Sequence, residues 1–453
     1  MIRIICFRVL LSGLVLLVGA SSSLAEKPLR SVSATGGFIE KATSTAVRPL
    51  LTAPQIQAFL PARGLFTFPA PYQTTGIRIT NASDCGGSGD CVESVGYSYW
   101  RVINNHVGSN TMYLFLTLNR GKGGVGPTLF SYDKTTQEVK NLGPLFDGSS
   151  ALGGRSGEQW YFSGTLPTKL YVFASATGAT LYRYDVISRQ TETVFDADTQ
   201  YPNRYIWQPH SSNDDRVHSA TLRDKRNYQM LGCMVYREDT KQFSFYASQG
   251  GFDECHIDKS GRWLTILDNV DGQYGLDNRI IDLQNGTETL VLDQKGGAGH
   301  MDTGYGIMVG EDNWASQPGA VRLYTFGQTP LPGPVVYHAT DWSVAGHVSF
   351  QNATDAIPTA QQFACNSYVN RKNVPRGNEI VCYRLDASLD VLVVAPVMTD
   401  LKASGGGSDD YAKMPKGALD ITGEYFIWAS NMGDGRQDAF MVKVPAQLLG
   451  ARP

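Results

Sequence analysis

The chain has 453 residues, a formal net charge of −3, 42% apolar and 18% charged residues, and 48 glycines. Such a balance offers no positive field to a nucleic-acid backbone, and no Lys/Arg-rich run supplies one locally, so nucleic acid is not an expected partner. High glycine, 11% aromatics and no sustained helical periodicity point away from an α/β enzyme domain and toward a turn-rich all-β protein.

Residues 1–25 read as a secretory signal peptide, with Arg3 and Arg8 before an apolar core from Leu10 to Ala20 and a small-residue cleavage site ending at Ala25. The apolar run is short for a span and runs into serines, so the mature chain is expected to be secreted or periplasmic, not inserted in a membrane. Residues 26–70 form an extension rich in Ser, Thr, Ala and Pro, with one short helix expected around Gln55–Leu60.

From residue 71 to 449 the pattern is one of repeated strand–turn–strand units. Seven are counted, at about 97–146, 157–198, 203–249, 252–294, 298–339, 345–399, and from there to the end of the chain. Strands closing on Tyr132-Asp133, Tyr184-Asp185 or Ile281-Asp282 recur before polar turns. The reading is a seven-bladed β-propeller of four-stranded antiparallel blades. The last unit shows only three strands, and Gly76–Thr80 is expected to supply its fourth and close the ring.

Six cysteines remain after the signal segment, and no Cys-x-x-Cys pair favours zinc. Cys85 and Cys91 flank a small loop and Cys365 and Cys382 an insertion in the sixth unit, which leaves Cys233 to pair with Cys255.

Histidines 210, 256, 300 and 347 stand 46, 44 and 47 residues apart, about one blade each. Equivalent positions in successive blades form a ring around the propeller axis, so these imidazoles are expected to meet at the central funnel. His218 and His338 fall off this register and read as packing or surface residues. Imidazole with carboxylate suits a borderline divalent ion such as Zn²⁺ or Mn²⁺, and His300, His347 and Asp302 are the candidate ligands. His210 and His256 are the candidate general bases. The competing role for all of them is structural, a hydrogen bond to the next blade. Trp160 and Tyr161, with Tyr97, Tyr99 and Trp100, are candidate sugar-stacking faces, and Arg216 and Arg262 candidate carboxylate clamps. Aromatic packing between blades is the alternative for the rings.

The stretch His256-Ile-Asp-Lys-Ser-Gly-Arg-Trp-Leu-Thr-Ile266, echoed at Asp420–Asn431, resembles the strand–turn–strand of TolB-like, WD40-like exported propellers. Gly346-His-Val-Ser-Phe350 is similar to a strand entry of oligogalacturonate-lyase-type propellers. The first resemblance implies fold and export. The second implies seven blades and metal-assisted β-elimination on uronate chains, although no closely spaced histidine pair accompanies it here. Two functions are therefore expected: a propeller binding a polysaccharide or protein ligand at its funnel, or a uronate lyase.

Overall fold

Most of the predicted strands are apolar nearly throughout instead of alternating, which is the pattern of strands covered on both faces. Tyr425–Ser430 is buried at every position and Lys169–Phe173 at all but the first. The outermost strand Gln242–Ala247, by contrast, has no fully buried residue. The computed structural model describes residues 35–450 apart from 88, 148–149, 151, 153–158, 175–176, 274, 313–315, 330, 340–345 and 371. The signal segment expected at 1–25 lies outside the described residues. No helix among them is long and apolar enough to cross a membrane.

Seven antiparallel sheets of four or five strands follow one another along the chain. Blades 2 to 5 each use one contiguous stretch, with inner strands Tyr161–Phe162, Arg204–Ser211, Cys255–Ile257 and Ala298–Thr303. Blade 6 starts at Val348–Ser349 and blade 7 at Ala418–Leu419. Large rings fill the spaces between blades: Tyr337 stacks on Tyr383 between blades 5 and 6, with centroids 4.9 Å apart. Trp160 packs on Phe115 and Phe146 between blades 1 and 2.

The ring closes through the N-terminal chain. Thr75–Arg78 pairs with the last strand, Asp438–Lys443, in the register Gly76↔Val442 and Arg78↔Phe440, and Gly64–Thr67 adds a fifth strand outside it. Upstream, Phe38–Lys41 pairs with Asp390–Pro396 as the fifth strand of blade 6. The short helix is Ala53–Gln57, slightly earlier than the sequence reading, because Pro54 favours a helix start there and Gln55 Oε1 accepts from the Thr52 amide at 2.9 Å.

All three expected disulfides form. Cys233–Cys255 ties the third strand of blade 3 to the first of blade 4, and Cys365–Cys382 joins directly opposed residues of blade 6. Cys85–Cys91 closes the small loop before blade 1.

Where the chain closes, Asp438 is fully buried and accepts from Arg78 Nη2 at 2.6 Å, Thr80 Oγ1 at 3.0 Å and Arg436 Nη2 at 2.6 Å. Removing its charge strands a buried guanidinium, which costs far more than the loss of an exposed pair. Asp438→Asn is expected to lower unfolding free energy by about 3 kcal/mol in urea titration; a loss under about 1 kcal/mol would mean that the latch does not hold the ring.

Candidate functional site

Blade 1 differs from the others in its inner strand. That strand is broken into Val92–Ser94 and Ile103–Asn104, which pair with Leu118–Thr117 and Leu114–Tyr113 of the same neighbour. Residues 95–102 leave the sheet between the two pieces, and every one of them is buried. A buried excursion must find partners for its polar groups, and here they come from other blades. Tyr97 hydroxyl is 2.9 Å from His347 Nε2 and 2.8 Å from the Tyr411 hydroxyl. Tyr99 donates to Glu254 Oε2 at 2.7 Å, and Trp100 Nε1 to the Pro209 carbonyl at 3.0 Å. Arg101 Nε reaches the Phe162 carbonyl at 3.0 Å. Blades 2, 3, 4 and 6 are thus all tied to a segment of blade 1.

The four register histidines meet around this segment. His210 and His256 stack with centroids 4.0 Å apart, and His300 and His347 lie 4.7 Å apart. Tyr99 packs edge-on against His256 and Trp100 face-on against His210, while Tyr97 contacts His347 and His300. Tyr97 and Tyr99, 4.8 Å apart, link the two pairs. His347 and Gln208 hold left-handed backbone conformations, at φ 58° and 47°, uncommon for non-glycine residues.

The histidines are not equivalent electrically. His210 is held well below its ordinary pKa by burial, then by the charges of His256 and Lys259. His347 is likewise held well down by burial, with His300 and Lys416 adding to it. His300 goes the other way: burial opposes its charge, but the Glu311 carboxylate at 2.9 Å from Nδ1, with Glu254 and Asp253, outweighs it and raises the pKa. Its side chain is 37% exposed, so it is the ring member that solvent reaches. Beside it, burial and the charge of Glu254 push Asp253 up to about 6.

The structure brings together part of what the sequence proposed. His300 and His347 adjoin, but Asp302 does not join them. Its carboxylate accepts from Lys259 Nζ at 3.0 Å, the Phe350 amide at 2.6 Å and Gln351 Nε2 at 2.7 Å, clamping blade 5 to blades 4 and 6. Asp258 does the same job one blade earlier, holding its own turn and the Gly306 amide. Repetition of this carboxylate reflects a repeated structural task.

His210 and His256, the candidate bases, are both buried under Trp100 and Tyr99. Trp160 and Tyr161 are buried between blades, with Trp160 Nε1 on the Phe173 carbonyl and Tyr161 hydroxyl on Ser211 Oγ, so neither offers a stacking face. Arg262 already grips Asp282 with two nitrogens, at 3.1 and 2.7 Å, in the outer part of blade 4. Arg216 is exposed at the turn of the first hairpin of blade 3. Off-register His218 is buried, bridging Ser211 Oγ at 2.6 Å and Glu238 Oε1 at 2.9 Å. The sequence reading missed Glu254, two residues before His256 on the same side of the chain, and Glu311, which lies on the strand beside His300.

The residues fit a shared metal poorly. His210 Nε2, His256 Nε2 and His347 Nδ1 lack hydrogen-bond partners, as free ligand atoms would. His256 Nε2 nevertheless lies 3.2 Å from Glu254 Oε1, within ion-pair distance. Among the described residues no three ligand atoms of this ring come within 4.8 Å of one another. Tyr97 and Tyr99 take the central positions instead.

No family model matches the chain, and no curated protein sequence matches it. Solved structures do. An oligogalacturonate lyase from Vibrio parahaemolyticus superposes with a TM-score of 0.58 at 9% identity, over 91% of this chain and 100% of that one. An oligogalacturonate lyase in complex with manganese gives 0.55 at 11% identity, over 89% and 99%. TolB from Acinetobacter baumannii is also similar, at 12% identity over 74% and 64%, with a TM-score of 0.36 that bears little weight. The oligogalacturonate-lyase resemblance read from the sequence recurs among these structures. At such identities it concerns the propeller fold, not its chemistry.

Asp253 carries a pH dependence with a defined sign. Its folded pKa lies above the ordinary carboxyl value, so its contribution to stability is complete below pH 4 and is lost as pH rises through about 6. Asp253→Asn should therefore match the wild type at pH 4 and exceed it by roughly 2 kcal/mol at pH 7.5 in urea unfolding. Equal stabilities at both pH values would show that the carboxyl is not strained by burial.

Proposed function

We propose that the chain is an exported, non-catalytic binding propeller that holds an anionic glycan at the axial surface around His300, Tyr411 and Lys416. The observation that carries this reading is the excursion at 95–102. It engages His347, Glu254 and His210 from three other blades, so its aromatic side chains stand among the ring histidines where a substrate would have to reach them. Tyr411 is half-exposed, with Lys416 Nζ 4.1 Å from its ring centroid, and His300 is the ring histidine biased toward its cation. An aromatic face beside cationic groups suits a uronate, whose ring stacks while its carboxylate is neutralised. Three disulfides suit an oxidising compartment and support export.

A metal-assisted uronate lyase acting by β-elimination is the second reading. It is favoured by the unpartnered nitrogens His210 Nε2 and His347 Nδ1 and needs the Tyr97–Trp100 segment to withdraw from between the histidines. A protein ligand on the same rim is a third outcome of the same experiment. Titrating oligogalacturonate into the protein by calorimetry, with and without EDTA, distinguishes them. Binding unaffected by EDTA, weakened at least tenfold in Tyr411→Ala and His300→Ala, without 4,5-unsaturated product, is expected. Accumulation of unsaturated product that EDTA abolishes would replace the binding reading with the lyase. No binding of any acidic or neutral oligosaccharide would leave the protein ligand.

A further inference from the structure

Blade 4 carries a second cluster, unconnected with the histidine ring. Asp271 lies in the loop between Trp263–Asp268 and Asp277–Asp282, Asp277 ends that loop, and Asp293 begins the 3-10 turn that follows Glu288–Val291. One carboxylate oxygen from each lies within 4.8 Å of the other two. Asp277 and Asp293 are each only 1% exposed, whereas Asp271 is exposed and opens the cluster to solvent.

Three features distinguish this from a chance run of surface acids. Asp293 Oδ2 is buried and has no hydrogen-bond partner, while its Oδ1 accepts from the Gln294 amide at 2.7 Å. That free oxygen is aimed into the loop: a Cβ on Gly275 would stand 1.9 Å from it, so the glycine, at φ 114°, leaves the space that the carboxylate occupies. No ion pair to these three carboxylates occurs among the described residues, although Lys295 lies in the same 3-10 turn as Asp293. The arginines of blade 4 are committed elsewhere, Arg262 to Asp282 and Arg279 to Asp268 and Glu288.

We propose that Asp271, Asp277 and Asp293 bind a hard divalent cation, Ca²⁺, pinning the second hairpin of blade 4 to the chain that leaves its outer strand. An all-oxygen donor set on a glycine-containing loop, open to water on one side, matches the six to eight oxygens and loose geometry that Ca²⁺ accepts. Soft or borderline ions would look for nitrogen or sulfur, and neither is present in the cluster. Asp277 also accepts from the Val270 amide at 2.8 Å and the Asp293 amide at 3.0 Å, so its carboxylate is fixed before any ion arrives.

The test uses the full chain dialysed against EGTA and titrated with CaCl₂ by calorimetry, with thermal unfolding in Ca²⁺ and in EGTA. The proposal expects one Ca²⁺ per chain and a Tm about 5 °C higher in saturating Ca²⁺. Asp271→Asn, a change at the exposed member, should keep the far-UV spectrum and weaken Ca²⁺ at least tenfold. Asp293→Asn should abolish both the heat and the Tm shift. Equal Tm values in Ca²⁺ and EGTA with no heat of binding would overturn it, as would undiminished binding in both variants.

Discussion

A ring of sheets has an axis, and whatever lines that axis must be filled or hydrated. Seven inner strands converge here, and four of them bring a histidine to the centre. The chain meets the constraint by breaking the inner strand of blade 1 and sending Tyr97, Tyr99 and Trp100 across the middle. Much of the site follows from that one excursion. It decides which imidazoles are buried and neutral, leaves His300 at the edge with Glu311, and binds distant blades to one another by hydrogen bonds in a low-dielectric interior, where such bonds are strong.

The architecture was largely readable from residue order. Apolar strands, polar turns and a period of about one blade place all seven units near their observed limits, and a missing outer strand in the last unit points to Thr75–Arg78. Less readable was the extension, where Phe38–Lys41 and Gly64–Thr67 serve as fifth strands. Each is only four residues long, and an edge strand half exposed to solvent has no pronounced pattern of its own.

The site was harder for a physical reason: periodicity identifies equivalent positions but not the direction in which a side chain is used. It brings His210 to His256 and His300 to His347 correctly. It cannot separate Asp302, whose oxygens are committed to neighbouring blades, from a metal ligand. Nor does it signal that Tyr97 and Tyr99 occupy the centre, since aromatics at a strand start look the same whether they line a funnel or close it. The acidic cluster of blade 4 escaped for a related reason. A sequence search for a calcium loop expects alternating aspartates, whereas Asp271, Asp277 and Asp293 are assembled from two separate turns.

The central claim is that the ring histidines are divided into buried members that hold the axial segment and one accessible member that faces solvent. Proton NMR titration of the imidazole C–H signals, assigned by single His→Gln variants, tests it directly. The account predicts that His300 titrates above the ordinary histidine value, while His210 and His347 remain neutral far into the acid range. If His210 and His347 titrated near pH 6.5 alongside His300, the axis would be open to water, and Tyr97 and Tyr99 would not be closing it.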